Sequence, residues 1–236
     1  MKTVRTASRW LFIICFSLLL FTSTVRFGAT STHIYEYGFD KYGISEVTNI
    51  DRTQLNQVAR KLIDYFNSKT ETPQIMVVNK DGEQFELFHD YELIHLEDVK
   101  GLIQLDYRIQ VASLAYIVVY GLLFLLWRKG RWQDLARGVR WGCALSLVFI
   151  AALGIASIFN FERLFIQFHL ISFSNPYWLL DPSKDYLIML FPAGFWQDIA
   201  FLGGGTIAAE ALILGGIAWA VPVIYRKHRS SSQVAH

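Results

Sequence analysis

Two histidines carry the chemical signal of this 236-residue chain. His95 lies in Glu92-Leu93-Ile94-His95-Leu96-Glu97-Asp98-Val99-Lys100. On a helix, Glu92 and Asp98 each stand three residues from it, on neighbouring turns. A carboxylate hydrogen-bonded to one ring nitrogen fixes the tautomer and raises basicity at the other, which is what a general base requires. The plainer reading is a helix with a solvated charged face. His169 lies in Phe165-Ile166-Gln167-Phe168-His169-Leu170. An imidazole among apolar residues near a bilayer is costly unless partnered, so it is a functional candidate; its bland alternative is a hydrogen bond to a headgroup or carbonyl. Two histidines on different elements can act as base and acid on one reaction. With His89 or an acid they could also hold a metal. Neither has a second histidine four residues on, so zincin spacing is absent. No Gly-x-Ser-x-Gly elbow is present. Gly203-Gly204-Gly205 opens an apolar run instead of a phosphate loop, and with Ala209 it offers a small-residue packing face. Serine hydrolases and nucleotide enzymes are thereby disfavoured. Cys15 and Cys143 both fall in apolar runs and form neither a disulfide framework nor a usual zinc site.

The elements that must position these residues are membrane spans. Hydrophobic residues make up 53% of the chain and charged ones 18%, against about 25% charged in soluble domains. Mean hydropathy is +0.31. Uncharged runs cover 10–25, 109–127 and 141–161, and a fourth, 199–225, is broken by Glu210 alone. A helix needs about 20 mostly apolar residues to cross the hydrocarbon. The first run is short, but Arg9 and Arg26 can snorkel from its ends; its rival reading, a signal peptide, lacks a convincing cleavage site. Glu210 reads as a protonated acid hydrogen-bonded to a neighbour, or as part of a proton path. The tail with Lys2, Arg5 and Arg9, the connection with Arg128, Lys129, Arg131, Arg137 and Arg140, and the tail with Arg226, Lys227 and Arg229 fall on one side of four spans. That side is the cytoplasm, with Trp10, Trp127 and Trp141 at its boundary. A net charge of +2 gives no field for nucleic acid.

The fold expected is a membrane protein of four transmembrane α-helices with a small extracellular α+β cap. The divisions are an N-tail and first helix at 1–28, cap 29–108, second helix 109–127, cytoplasmic loop 128–140, third helix 141–161, outer segment 162–198, fourth helix 199–225 and cytoplasmic tail 226–236. The cap carries 14 acidic and 8 basic residues. Within it, Tyr35, Tyr37 and Phe39 alternate as in a strand. Leu55, Val58, Ala59, Leu62, Ile63 and Phe66 have helical spacing, and Asp51 with Gln54 resembles a capping box. Residues 75–78 and 85–88 flank a hairpin turn at Lys80-Asp81-Gly82-Glu83. Residues 91–106 read as a helix running toward the second span. In the outer segment, Phe161, Leu164, Phe165, Phe168 and Ile171 make a helical stripe. Tyr177, Trp178, Phe191, Phe195 and Trp196 add rings suited to interfacial anchoring or to a substrate pocket.

The sequence 92–100 resembles the motif Glu-x-x-His-hydrophobic-x-Asp-Val-Lys. A second motif is similar in Phe165-x-x-Phe168-His169 followed by Phe173-x-Asn175-x-x-Trp178. The run Leu180-Asp181-Pro182, Asp185, Leu187-Ile188 and Phe191-Pro192-x-x-Phe195-Trp196-x-Asp198 extends it. Together these resemble the lipoprotein intramolecular transacylase (Lit) family of bacterial membrane proteins, over nearly the whole chain. The resemblance implies transfer of the glycerol sn-2 acyl chain of a diacylglyceryl-modified lipoprotein to the α-amino group of its N-terminal cysteine. The product is a lyso-form lipoprotein. It implies His95 and His169 as the catalytic pair, no metal and no organic cofactor, lipoproteins and membrane lipids as partners, and a site at the outer face of the cell membrane. His95, oriented by Glu92 or Asp98, is the first choice of base. Asn175 is expected to donate to the oxyanion, Trp178, Phe165 and Phe168 to line the acyl path, and Asp181 to hold the loop after His169. His89 stands where an Asn-like residue is expected and adds a third imidazole. The rivals are an outer-face lipid or lipoprotein hydrolase and a metal or ligand sensor built on His33, His89, His95 and His169.

Overall fold

A computed structural model of the chain describes residues 2–69, 72–127 and 132–234, with side chains apart from those at 2, 127 and 226–234. Arg128, Lys129, Arg131 and His236 therefore lie outside the described residues, as do the side chains of Lys2, Trp127, Arg226, Lys227, His228 and Arg229. In chain order the elements are α1 (Lys2–Thr30), α2 (Thr32–Lys41), α3 (Ile44–Thr48), α4 (Arg52–Asn67), β1 (Met76–Val78), β2 (Gln84–Glu86), α5 (Asp90–Leu122), α6 (Trp132–Ser172), α7 (Tyr186–Leu190) and α8 (Ala193–Val234). A π-helical turn, Leu123–Trp127, follows α5.

The chain divides into two compact units. The first comprises Met1–Thr24, Tyr107–Gly154 and Gly203–His236. Among the described residues, four helices are long and apolar enough to cross a membrane, as the uncharged runs predict. They are longer than those runs. Residues 132–140, expected as loop, already belong to α6, and the three glycines at 203–205 lie inside α8, which starts at Ala193. Small residues let the helices approach. The rings of Phe12 and Phe16 cover the Cα atoms of Gly138 and Gly142. Of the expected packing face, a Cβ at Gly203 would meet Thr24 at 3.7 Å and one at Gly204 would meet Ile150 at 3.6 Å, while one at Gly205 would meet nothing within 4 Å. Leu20, Cys143, Ile207 and Ala211 form the buried centre. A hydrogen bond of 2.8 Å joins the hydroxyls of Ser17 and Ser146. Of Glu210, the buried Oε2 has no hydrogen-bond partner among the described residues.

The second unit comprises Val25–Asp106 and Ile155–Leu202. Its core gathers Phe39, Ile44, Ile50, Leu55, Leu62, Ile75, Leu87, Leu96 and Leu190, all nearly inaccessible to solvent. The strand expected at Tyr35, Tyr37 and Phe39 is instead helix α2, which buries Tyr35, Gly38 and Phe39. A spacing of three and four competes with the alternation, and glycine at 38 hides the helical face because its contribution is space, not apolar surface. That space holds the Phe195 ring, which a Cβ at Gly38 would meet at 2.5 Å. We expect Gly38→Ala to destabilise this unit by about 1–3 kcal/mol through overpacking, read as a lower unfolding temperature with the apolar helices unchanged by circular dichroism.

The amphipathic α4 forms as its spacing predicts and buries Leu55, Val58, Ala59, Leu62 and Phe66. Its capping box does not form. Asp51 makes no side-chain cap bond, and Gln54 reaches to β1 instead, donating to the Val78 carbonyl at 2.6 Å and accepting from the Val78 amide at 2.8 Å. The expected hairpin is present, with Val77 opposite Phe85. Its turn is closed by Asn79, whose Oδ1 accepts from the amides of Asp81 and Glu83. Gly82 there has φ of +89°, a conformation glycine adopts at little cost. Along α6, Asn160 has non-helical angles. Its Oδ1 accepts from the Arg163 amide at 2.9 Å, so the helix restarts with a fresh cap and carries the aromatic stripe to His169.

Candidate active site

The second unit brings together the two histidines that the sequence singles out. His95 is on the second turn of α5 and His169 on the last turn of α6, and both are buried. Their ring centroids are 5.9 Å apart, with the planes 34° from parallel. Aromatic rings enclose them. Phe173 stands edge-on to His95 at 5.0 Å. Around His169, Phe165 lies at 4.3 Å, Trp178 at 5.0 Å, Phe168 at 5.4 Å and Phe173 at 5.5 Å. Phe165 and Phe168 reach the ring because residues four and one before it share the last turns of the helix, whereas Trp178 is delivered by the segment after it.

Hydrogen bonding separates the two rings. His169 Nδ1 lies 2.7 Å from the Phe165 carbonyl oxygen. A carbonyl can only accept, so Nδ1 carries the hydrogen and Nε2 presents a lone pair. His95 Nδ1 is buried and has no partner among the described residues. The carboxylates expected to orient His95 are engaged elsewhere. Glu92 accepts from the His89 amide and from His89 Nδ1 through Oε2, at 2.8 and 2.7 Å, and from the Leu187 amide through Oε1 at 2.8 Å. Asp98 accepts from Asn175 Nδ2 at 2.7 Å. Helical spacing brings Glu92 and Asp98 near His95 but leaves open which way each side chain turns. Backbone amides and an asparagine from other elements settle it.

Residues 90–108 and 162–172 carry charged side chains and lie beyond the uncharged runs 109–127 and 141–161. At these positions burial holds the His95 imidazolium disfavoured, the neighbouring His169 adds to the effect, and Asp98 opposes it. Burial likewise lowers the pKa of His169, while its bond to the Phe165 carbonyl works the other way. Burial thus favours the neutral imidazole over the imidazolium in both rings.

Asp181 anchors the turn after this segment, its Oδ1 accepting from the Ser183 amide and hydroxyl. Two residues absent from the sequence-based set also matter. Tyr91 donates to Asp185 Oδ1, and Asp185 Oδ2 accepts from the Asp181 amide at 2.6 Å. Tyr91 could have been noticed four residues before His95; Asp185 stands in the run that extends the second motif, where no role was given to it. His33 stands apart, exposed on α2 beside Glu36. His89, Glu92 and Asp185 place possible ligand atoms within 4.8 Å of one another, but the carboxylate oxygens already accept the hydrogen bonds named above. His33 of the sensor reading is thus exposed and not buried with His95 and His169.

Four helices long and apolar enough to span, and a unit that buries a pair of imidazoles, define an integral membrane protein. A family model described as lipoprotein intramolecular transacylase Lit matches residues 10–196, and the chain belongs to that family. It is accordingly a membrane acyltransferase. Its fold is similar to that of the Lit transacylase from Bacillus cereus, with a TM-score of 0.76 at 20% identity, covering 98% of this chain and 100% of that one. Structures of two variants of that protein, with a histidine replaced by arginine or by alanine, give TM-scores of 0.72 and 0.74 at 20% and 19% identity. They cover 98% and 96% of this chain, and 96% and 97% of theirs. No curated protein matches.

Proposed function

We propose that this chain moves the sn-2 acyl chain of a diacylglyceryl-modified lipoprotein onto the α-amino group of its N-terminal cysteine, at the outer face of the cell membrane, using His95 and His169. The observation that carries the reading is the buried imidazole pair, one ring anchored through Nδ1 on the Phe165 carbonyl and the other with an Nδ1 that has no partner among the described residues. The distribution of basic residues supports cytoplasmic termini.

His169 acts as base. Its Nε2 takes the proton from the attacking amine as the N–C bond forms, and returns it to the glycerol oxygen as the C–O bond breaks. The Phe165 carbonyl holds the ring in that tautomer and eases the transient imidazolium. This reverses the preference for His95 as base, because among the described residues no carboxylate is hydrogen-bonded to its Nδ1. Neutral His95 instead donates its N–H to the ester carbonyl, where negative charge develops; a preorganised donor in a water-poor site is worth more than in water. Ester-to-amide transfer is downhill and needs no energy source. Donor and acceptor share one molecule, so orientation dominates, and effective molarities for such reactions reach about 10⁵–10⁸ M. Phe165, Phe168 and Trp178 form the wall that confines the acyl group. Asn175 supports the site through Asp98, and Glu92 and Asp181 hold its surroundings.

Mass spectrometry of one lipoprotein's N-terminal peptide tests this, made with and without the chain in a host lacking other N-acylation. Unchanged total mass, with one acyl chain moved to the cysteine nitrogen and a monoacyl glycerol left, is the expected result. Loss of one acyl mass would identify a hydrolase and sink the proposal.

The pH dependence follows from the neutral imidazoles. The substrate amine, with a pKa of about 8, must be unprotonated to attack. Because both histidine pKa values are lowered, the protein stays in its active form as pH falls through the ordinary imidazole range. Log rate should rise with slope one from about pH 6.5 to 8, and steepen toward two only below the usual imidazole pKa of about 6.5. A slope of two already at neutral pH would contradict it.

A further inference from the structure

The segment 173–185, between α6 and α7, carries Phe173, Asn175 and Trp178 to the histidines, and it is tied to α5 at both ends. At its start, Phe173 packs on both imidazoles, and Asn175 donates to Asp98 at 2.7 Å. At its end, Asp185 accepts from the Tyr91 hydroxyl, and the next turn is held by the bond from the Leu187 amide to Glu92. Tyr91, His95 and Asp98 follow one another at intervals of four and three residues on a single face of α5. The two ties thus bracket His95 on its own helix face, about 10 Å apart along the axis. Asp185 is only 1% exposed, and both of its oxygens are occupied, by Tyr91 and by the Asp181 amide. A carboxylate so deeply buried survives because those bonds satisfy it.

We infer that Tyr91 and Asp185 are positioning residues which, with the Asp98–Asn175 tie, clamp segment 173–185 across the histidine pair and thereby keep water from replacing the amine as acyl acceptor. The inference rests on the two-histidine transfer proposed above. Water is the natural competitor. Its oxygen would form the new bond to the ester carbonyl carbon, the bond to the glycerol oxygen would break, that oxygen would take a proton, and a free fatty acid would leave. A loosened clamp both misplaces the aromatic wall and admits that water.

The test uses the full-length protein in detergent with a synthetic diacylglyceryl lipopeptide, counting N-acyl product and free fatty acid by mass spectrometry. Tyr91→Phe removes one hydroxyl from a half-buried ring. It should lower kcat for transfer about tenfold with KM little changed, within the roughly hundredfold that an ångström of misplacement costs, and raise the share of free fatty acid severalfold. Asp185→Asn should do the same, and Tyr91→Phe combined with Asn175→Ala, which releases both ends, should exceed either single change. A merely structural role would lower the melting temperature and reduce both products in parallel; a constant ratio of fatty acid to transfer product overturns the inference, as does an unchanged rate and ratio. If His95→Ala and His169→Ala retained full transfer, the underlying reading would fall first, whatever Tyr91→Phe did.

Discussion

Replacing His169 by alanine lowers the rate of N-acyl product formation about 10²–10⁴-fold, the range lost when a positioned acid–base group is removed. The expectation follows from three features of the ring: an Nδ1–H fixed on the Phe165 carbonyl, the Nε2 lone pair which that tautomer presents, and four aromatic neighbours packed around it. The effect belongs in kcat, because the ring acts on a proton that moves only in the transition state. His169→Gln preserves bulk and polarity without a titratable lone pair and should be nearly as slow, separating proton transfer from packing. His95→Ala should fall less, toward the 10²–10³-fold cost of losing one oxyanion donor. His95→Asn, which keeps an N–H donor, should recover part of that loss. Equal losses for His95→Asn and His95→Ala would show that His95 is not acting as a donor. A His169→Gln variant within threefold of the native rate would remove it from the chemistry.

Glu92→Leu destabilises the second unit by about 3 kcal/mol, the largest stability effect expected of a single change near the site. Glu92 is wholly inaccessible to solvent and serves three donors on two elements: the His89 amide, His89 Nδ1 and the buried Leu187 amide. Leucine has similar bulk, so packing is largely kept and the orphaned donors dominate. His89 is half exposed and can turn to water; the Leu187 amide cannot. Glu92→Gln keeps one acceptor for Leu187 but turns an amide N–H toward two other donors, so its cost should be intermediate. With roughly 2–4 °C per kcal/mol for a domain of this size, Glu92→Leu should unfold about 6–12 °C lower, with Glu92→Gln between it and the native protein. Equal melting temperatures for all three would mean that the amides at His89 and Leu187 find other acceptors.

Such a buried carboxylate also shows where a sequence stops being informative. The spans were legible because crossing hydrocarbon demands an uncharged run, and charge is written in the sequence directly. The helix α4 and the hairpin were legible from periodicity and from a turn whose residues favour it. Helix α2 was not, since its buried face depends on Gly38 making room for Phe195, a partner 157 positions away. The capping box at Asp51 failed for a related reason: Gln54 found a better partner on β1.

At the site, the sequence by itself determined the residue types. It marked His95 and His169 as histidines in contexts that need explaining, and it placed Phe165 and Phe168 on the helix turns beside His169. It also determined that the chain spans a membrane, because no folding choice can hide the cost of a charge in lipid. Only the tertiary structure decided that the two imidazoles meet 5.9 Å apart, and that Glu92 and Asp98 serve His89, Leu187 and Asn175 in place of His95. The tie between Tyr91 and Asp185 was likewise a tertiary decision. The physical reason is one of range. Helical periodicity fixes which residues share a face within a few turns, whereas a side chain's hydrogen-bond partner is the best donor or acceptor that the whole fold brings within about 3 Å.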